Sequence, residues 1–316
     1  MTEISQAEFI RYCCYLEQYP DVLATQWQEL QTKSLEIYEA HQTAFAVLPE
    51  NKRKNRYTDI LPFDLTRVKL NIDEDDEMCS DYINASHIKG FSNNEYIATQ
   101  GPLSHTVRDF WKMVIQENVS IIVMVARFYE NKMEKCSKYF PNNHEIILFG
   151  DDIEVRCTTE LNLNTYCVRT LEVRKGLKQQ TVIHMQFVEW PDFGVPKGTD
   201  DLIYFCNQFR ERWDAEGGRA LVHCSAGVGR TGTIIATDIL INSIKAGRKI
   251  DVFNTVLELR KQRKSMVQRQ TQYLYIYQMI RCFLEEGGSY SLDTQEHIYE
   301  NIQLAQDFRN KEEQSL

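Results

Sequence analysis

Arg219-Ala-Leu-Val-His-Cys224-Ser-Ala-Gly-Val-Gly-Arg230-Thr-Gly-Thr233 begins as an apolar strand, passes through a loop of small residues and ends in a helical period. Small residues let successive backbone N–H groups turn inward as a nest. The helix that follows aims its unpaired amides and positive dipole end at the same point. The stretch therefore predicts a strand–loop–helix unit that cradles a dianion such as phosphate. Two side chains give the cradle chemistry. Cys224 opens the loop, at the focus of an amide field that favours thiolate over thiol. Arg230 closes it with a planar fork that can hold two oxygens at once, which a lysine cannot do.

Two rival readings of the same stretch fail on its surroundings. Gly227-Val-Gly229-Arg-Thr-Gly232 also fits the dinucleotide fingerprint G-x-G-x-x-G, with Asp251 about twenty residues on. However, Ile244-Lys-Ala-Gly-Arg-Lys-Ile250 is too basic and interrupted for the buried second strand that such a unit needs. A cysteine-protease pair of His223 and Cys224 fails because neighbours on a strand point to opposite faces. His223 reads instead as a structural hydrogen-bonding residue.

Outward from the loop, helical periods cover Leu202 to Trp213, Thr231 to Ala246, Val252 to Arg263 and Gln270 to Glu285. Between about 82 and 190 the pattern is β-rich, with runs at Tyr96 to Thr99, Ile121 to Val125, Ile146 to Phe149, Ile153 to Cys157, Tyr166 to Val173 and Thr181 to Val188. Residues 5 to 45 carry apolar positions at helical spacing on either side of a break at Pro20. The predicted architecture is α/β: a single domain with a twisted mixed β-sheet flanked by helices and a phosphate-binding loop between a strand and a helix. It divides into an N-terminal helical cover over residues 1–49, a catalytic domain over 50–286 and a polar tail over 287–316.

The 316 residues carry a net charge of −9, which argues against nucleic acid as the main partner. Local basic clusters at Lys52 to Arg56 and Arg260 to Lys264 are too small to form a broad basic face. No apolar run reaches the length of a membrane span, so no direct membrane insertion is expected. The N-terminus does not resemble a secretory signal. Nine cysteines (Cys13, Cys14, Cys79, Cys136, Cys157, Cys167, Cys206, Cys224 and Cys282) lack framework spacing. They predict free thiols in a reducing, cytoplasmic compartment.

Read with Trp190-Pro191-Asp192, the His223 to Gly232 motif resembles that of the tyrosine-specific, cysteine-dependent protein phosphatases. The resemblance spans about residues 50 to 285. It includes Lys54-Asn-Arg-Tyr57, Asp81-Tyr-Ile-Asn-Ala85, Gln100-Gly-Pro102, Asp109-Phe-Trp111, Lys135-Cys-x-x-Tyr139, and Val267-Gln268 with Gln272. It implies a two-step hydrolysis of phosphotyrosine in proteins through a phosphocysteine, with no cofactor and no metal. Phenolate is a poor leaving group without an acid to protonate it, and Asp192 resembles that acid, carried on a mobile loop. Trp190 resembles the loop's hinge anchor and Phe193 part of its closing lid.

By the same resemblance Gln268, assisted by Gln272, orients the hydrolytic water, and Thr231 stabilises the departing thiolate. Tyr57 walls a slot deep enough to exclude shorter phosphoserine and phosphothreonine, and Asp59 fixes the substrate backbone. Ser225, Ala226, Gly227, Val228 and Gly229 form the cradle. Glu130 is expected to pair with Arg230, and Lys135 to contact Asp192 in the closed loop. Ser265 is expected to narrow one side of the pocket opening, and the acidic run 73 to 77 resembles an insertion. The alternative function is a phosphotyrosine-binding pseudophosphatase, against which the intact Cys224, Arg230, Asp192 and Gln268 set argues. In the tail, Tyr299 with Asn301 two positions on resembles an adaptor-binding phosphorylation site. The competing reading puts Tyr299 on the apolar side of a short docked helix.

Overall fold

The computed structural model describes residues 5–72, 80–92, 95–191 and 194–287. At its centre lies β11 (Arg219–His223), whose residues from Ala220 onward are all buried. It runs parallel to β3 (Tyr96–Thr99) on one side and to β4 (Val119–Met124) on the other. Strands covered on both faces need apolar residues at every position rather than alternation, and Ile121-Ile-Val-Met124 and Ala220-Leu-Val222 show this.

Outward from β4 come β10 (Lys178–Phe187), β9 (Tyr166–Lys175), β8 (Ile153–Asn162) and β7 (Ile146–Phe149). β10 joins β4 in parallel, and the remaining pairs are antiparallel. On the other flank β3 pairs antiparallel with β2 (Tyr82–Ile88), which pairs with β1 (Arg67–Lys69). The order is β1-β2-β3-β11-β4-β10-β9-β8-β7. A separate short hairpin joins β5 (Tyr129–Glu130) to β6 (Met133–Glu134).

Helices lie on both faces. Phe187 of β10 meets Phe205 of α5 (Asp200–Glu216), their rings 5.3 Å apart. His184 has the opposite parity and meets Tyr139, whose ring also packs on Phe110 of α4 (Val107–Gln116). α6 (Gly229–Lys245) leaves β11 through the phosphate loop. It packs on α7 (Val252–Gln262) and α8 (Gln270–Glu285). α1 (Gln6–Gln18) and α2 (Pro20–Ala40) cover α8 and α7, where Phe9 stacks on Tyr277 at 5.8 Å and Trp27 lies 5.5 Å from Tyr273.

The helical and strand periods locate these elements, with ends that move by a few residues. β8 and β9 run on to Asn162 and Lys175, beyond the 157 and 173 that the apolar pattern predicts. Their outer halves alternate with exposed and half-exposed residues and carry little hydrophobic signal. Pro20 does more than break a helix, because it occupies the first position of α2, where its missing N–H costs nothing. β1, β2, β5, β6, the four-residue α3 (Pro49–Lys52) and α4 have no counterpart in the periodic reading. The acidic run 73 to 77, Cys79, Asp192, Phe193 and the tail with Tyr299 and Asn301 lie outside the described residues.

Candidate active site

The loop between β11 and α6 forms the floor of a cavity of about 280 Å³. Cys224 sits there 5% exposed, and its Sγ accepts the Gly227 amide at 3.2 Å. Gly227 has φ +70, and a Cβ there would lie 2.1 Å from the Thr99 carbonyl oxygen. No side chain fits. Gly232 is similarly confined, by the Val267 nitrogen at 2.4 Å, whereas a Cβ at Gly229 would meet only the movable end of the Gln272 side chain, at 2.9 Å. Gly227 and Gly232 are therefore required by the backbone that passes behind the loop.

Arg230 is held in place before any ligand arrives. Its Nη1 and Nη2 donate to Glu130 Oε1 and Oε2 at 2.6 and 2.8 Å, and two further bonds reach the Val125 and Pro191 carbonyls at 3.2 Å each. The expected Glu130 pairing is thus present and bidentate, which sets the guanidinium plane. Thr231 is fully buried, and its hydroxyl has no hydrogen-bond partner among the described residues.

The walls come from distant segments. Tyr57 rises beside the loop with its hydroxyl 2.9 Å from Ser225 Oγ, and Asp59 lies exposed at the rim. Arg56 ties this segment down by donating to the Gly101 and Pro102 carbonyls at 3.1 and 2.8 Å. Gln100 accepts the Arg56 amide at 2.8 Å and donates to the Lys54 carbonyl at 2.8 Å. Gly101 in turn donates to the Ser225 carbonyl at 3.0 Å. Lys54-Asn-Arg-Tyr57 and Gln100-Gly-Pro102 are therefore one assembly that sets the height of Tyr57 over Cys224.

Gln268 is exposed and lines the cavity. Gln272 Oε1 accepts the Gln268 and Arg269 amides at 3.0 and 3.2 Å, which anchors the turn that presents Gln268. Ser265 and Val267 precede it at φ +64 and +56, a left-handed region that a β-branched valine rarely occupies. Ser265 donates its amide to the Tyr38 hydroxyl at 2.9 Å and is not part of the cavity lining.

Trp190 is buried, and its indole N–H donates to the Gly194 carbonyl at 3.2 Å, bridging the two ends of the segment that carries Asp192 and Phe193. Lys135 lines the cavity. Gly227 and Val228 are buried within the loop, where they offer backbone rather than side chain. Sequence reasoning missed Ile60, Gly194 and Arg269 as lining residues. Proximity to Asp59 and Gln268 was the only signal for Ile60 and Arg269.

Behind the loop, His223 is fully buried, with Nδ1 3.1 Å from the Cys224 carbonyl and Nε2 2.8 Å from the Tyr139 hydroxyl. The same hydroxyl lies 2.7 Å from His184 Nε2. A carbonyl only accepts, so His223 carries its proton on Nδ1 and takes the Tyr139 proton at Nε2, while His184 donates to the Tyr139 oxygen. Burial pushes the His223 pKa down to about 4 and that of His184 well below 6.5, so both rings are neutral in this chain of bonds. His223 is structural, as its place on the strand predicts.

The protein-tyrosine phosphatase family model matches residues 51–282. Human tyrosine-protein phosphatase non-receptor type 12 is 39% identical over 254 residues, 77% of this chain and 32% of that protein. Chicken receptor-type tyrosine-protein phosphatase eta is 37% identical over 286 residues, 88% of this chain and 19% of that one. The chain thus spans less than a third of the length of these relatives. The crystal structure of the catalytic domain of human protein tyrosine phosphatase non-receptor type 18 superposes with a TM-score of 0.79 at 34% identity, covering 86% of this chain and 99% of that one. With the family model extending over most of its length and the sheet, loop and cavity arranged around Cys224, the chain belongs to the protein-tyrosine phosphatase family.

Proposed function

We propose that the chain hydrolyses phosphotyrosine in proteins by a two-step mechanism through a phosphocysteine. The observation that carries this reading is the floor of the cavity, where a thiol accepts a loop amide beneath a guanidinium preset by a bidentate carboxylate. A phosphate monoester entering there meets Sγ below and the open side of the Arg230 guanidinium. In the first step the Cys224 thiolate attacks phosphorus as the phenolate oxygen leaves, taking a proton from Asp192. In the second, a water placed by Gln268 attacks the phosphocysteine, Asp192 takes its proton, and the thiolate departs toward the Thr231 hydroxyl. The orphaned hydroxyl of Thr231 supports that last assignment, because a buried polar atom without a partner is poised to receive one.

Substrate choice follows from depth. Cys224 lies at the bottom of a slot walled by Tyr57, and an aryl phosphate is long enough to span it. Asp59 at the rim suits the amides of a peptide backbone. Residues 1–49 serve as a helical cover of the catalytic domain 50–286, and 287–316 are a polar tail. Phosphorylated Tyr299 is proposed as an adaptor ligand. Among the described residues no helix is long and apolar enough to cross a membrane, and the cytoplasm is the proposed compartment.

The test is hydrolysis of a phosphotyrosyl peptide and of its phosphoseryl counterpart by the wild-type chain and by Cys224→Ser. Release of phosphate from the first peptide alone, falling below about 1% in the variant while the peptide still binds, is the expected result. A wild-type chain that binds the peptide without turnover would instead be a pseudophosphatase.

A further inference from the structure

Arg263, the residue that caps α7, is fully buried, yet among the described residues none of the groups that its guanidinium bonds is a carboxylate. Fully buried arginines are rare unless paired, because an uncompensated charge in the interior is costly. Every bond that its guanidinium makes is to a neutral group. Nε donates to the Gly227 carbonyl at 2.9 Å, Nη2 to the Ala226 carbonyl at 3.1 Å and to Asn84 Oδ1 at 2.7 Å, and Nη1 to Ser86 Oγ at 3.2 Å.

Two of those acceptors belong to the phosphate loop, and their geometry is specific. The carbonyl of Ala226 and the amide of Gly227 are opposite ends of one peptide unit. Arg263 grips the carbonyl end, and the amide end points at Cys224 Sγ at 3.2 Å. The next peptide unit is gripped in the same way through the Gly227 carbonyl. A cation on the oxygen of a peptide polarises its N–H and strengthens the bond that it donates. Burial lowers its pKa to about 10, as expected for a cation that lacks a fixed anion; of the two ionisable groups that act on it, Tyr82 is held by burial as the neutral phenol, which leaves Cys224.

We infer that Arg263 is a positioning residue of the anion site, whose counter-ion is the anion in the cradle itself, acting through the Ala226–Gly227 and Gly227–Val228 peptides. The inference rests on the phosphatase reading and extends it. Arg230 holds the anion from the cavity side, whereas Arg263 holds the backs of the amides and never touches the ligand. An empty, uncharged cradle would leave a buried guanidinium uncompensated, so the thiolate and the bound dianion both stabilise the fold at this point.

The experiment compares wild type with Arg263→Gln, Arg263→Lys and Asn84→Asp. The last puts a carboxylate beside Nη2 and gives Arg263 a counter-ion of its own. Two readouts are taken on folded protein: the inhibition constant of tungstate against an aryl phosphate, and the pH profile of iodoacetamide alkylation at Cys224, followed by mass spectrometry. Iodoacetamide is uncharged, so its approach does not itself depend on the site's field.

Arg263→Gln is expected to raise the tungstate constant about 10- to 100-fold, the range for losing hydrogen bonds from a charged donor. It should also shift alkylation to higher pH. Arg263→Lys, which keeps the charge, should recover most of the alkylation profile. Asn84→Asp should weaken tungstate and shift alkylation in the same direction as Arg263→Gln. If Arg263→Gln does not fold, Asn84→Asp decides. A folded variant with unchanged tungstate constant and alkylation profile overturns the inference. Because wild type is assayed in parallel, inactive wild-type protein would overturn the phosphatase reading instead, and the two failures cannot be confused.

Discussion

Two arginine–carboxylate pairs in this molecule are buried to nearly the same degree and do different things. Arg230 and Glu130 have side chains 13% and 5% exposed, and Arg210 and Asp238 have side chains 11% and 2% exposed. Both are bidentate. Asp238 also accepts from the Tyr96 hydroxyl, which Arg210 reaches at 3.0 Å, and the Arg210 guanidinium lies 4.2 Å from the Trp213 ring centroid. That cluster is enclosed by α5, α6 and β3, and every charge in it is answered within the protein. Arg230, by contrast, lines the cavity, with its two remaining Nη donors on main-chain carbonyls and its Nε–H bonded to no group among the described residues. Burial and pairing are common to both. What distinguishes the functional pair is that one side of the guanidinium faces a space that an anion can enter.

The sharpest way to break this contrast is to remove the fork and keep the charge. Arg230→Lys should lower kcat/KM on an aryl phosphate by about 10²–10³-fold, the range for losing a preorganised stabiliser of transition-state charge. It should leave the melting temperature within a few degrees of wild type. A loss under about tenfold would mean that a point charge suffices and that the bidentate geometry is incidental.

The reverse is expected beneath the sheet. Asp238→Asn leaves the buried Arg210 guanidinium with only the exposed Asp214 carboxylate, 3.3 Å from Nη1, as counter-charge and should cost about 3 kcal/mol of stability in urea unfolding. The kcat of the folded fraction should not change. A cost below about 1 kcal/mol, or a fall in kcat, would show that the two pairs are not the separate devices their surroundings indicate.

The functional pair was legible in the sequence only by halves. Arg230 is fixed by its distance from Cys224, but Glu130 sits on the two-residue strand β5, where no periodicity marks it, and only the family resemblance named it. Arg210–Asp238 was invisible, because Arg210 lies in a helical period where a charged residue reads as solvated surface and only the packing of α6 beside α5 brings it to Asp238. Arg263 was hidden for the same reason. In sequence it belongs to the basic run Arg260 to Lys264, which suggests a solvated face, yet Arg260 and Arg263 are both fully buried and donate to main-chain carbonyls. Arg260 braces the Met266 and Val267 carbonyls and so holds the left-handed turn before Gln268. The phosphate loop could be read because its amides, glycines and nucleophile are contiguous. The groups that support it come from β2, α7 and α8, and spacing carries no information about such distances.

A third kind of buried titratable group, neutral throughout, completes the contrast. His223 and His184 bracket the Tyr139 hydroxyl, and neither faces the cavity nor an acid. Arg169 and the other histidine act on His184, Arg56 acts on His223, and burial is the largest influence on both. In the unfolded chain each titrates near 6.5, whereas in the fold His223 titrates at about 4 and His184 well below its ordinary value. Below pH 6.5 the unfolded chain therefore takes up protons that the folded chain refuses. Stability present above that pH declines as pH falls toward 4, by at most about 1.4 kcal/mol per pH unit for each ring. His184→Gln keeps an amide donor toward Tyr139 and removes one titrating ring. Its unfolding free energy should be lower than wild type at pH 7.5 but should fall less steeply between pH 6.5 and 4.5, by about 1 kcal/mol per unit. Carboxylates contribute equally to both curves and cancel in the difference. Parallel curves over that window would mean that His184 takes up a proton as readily in the folded chain as in the unfolded one, and that burial does not hold its ring neutral.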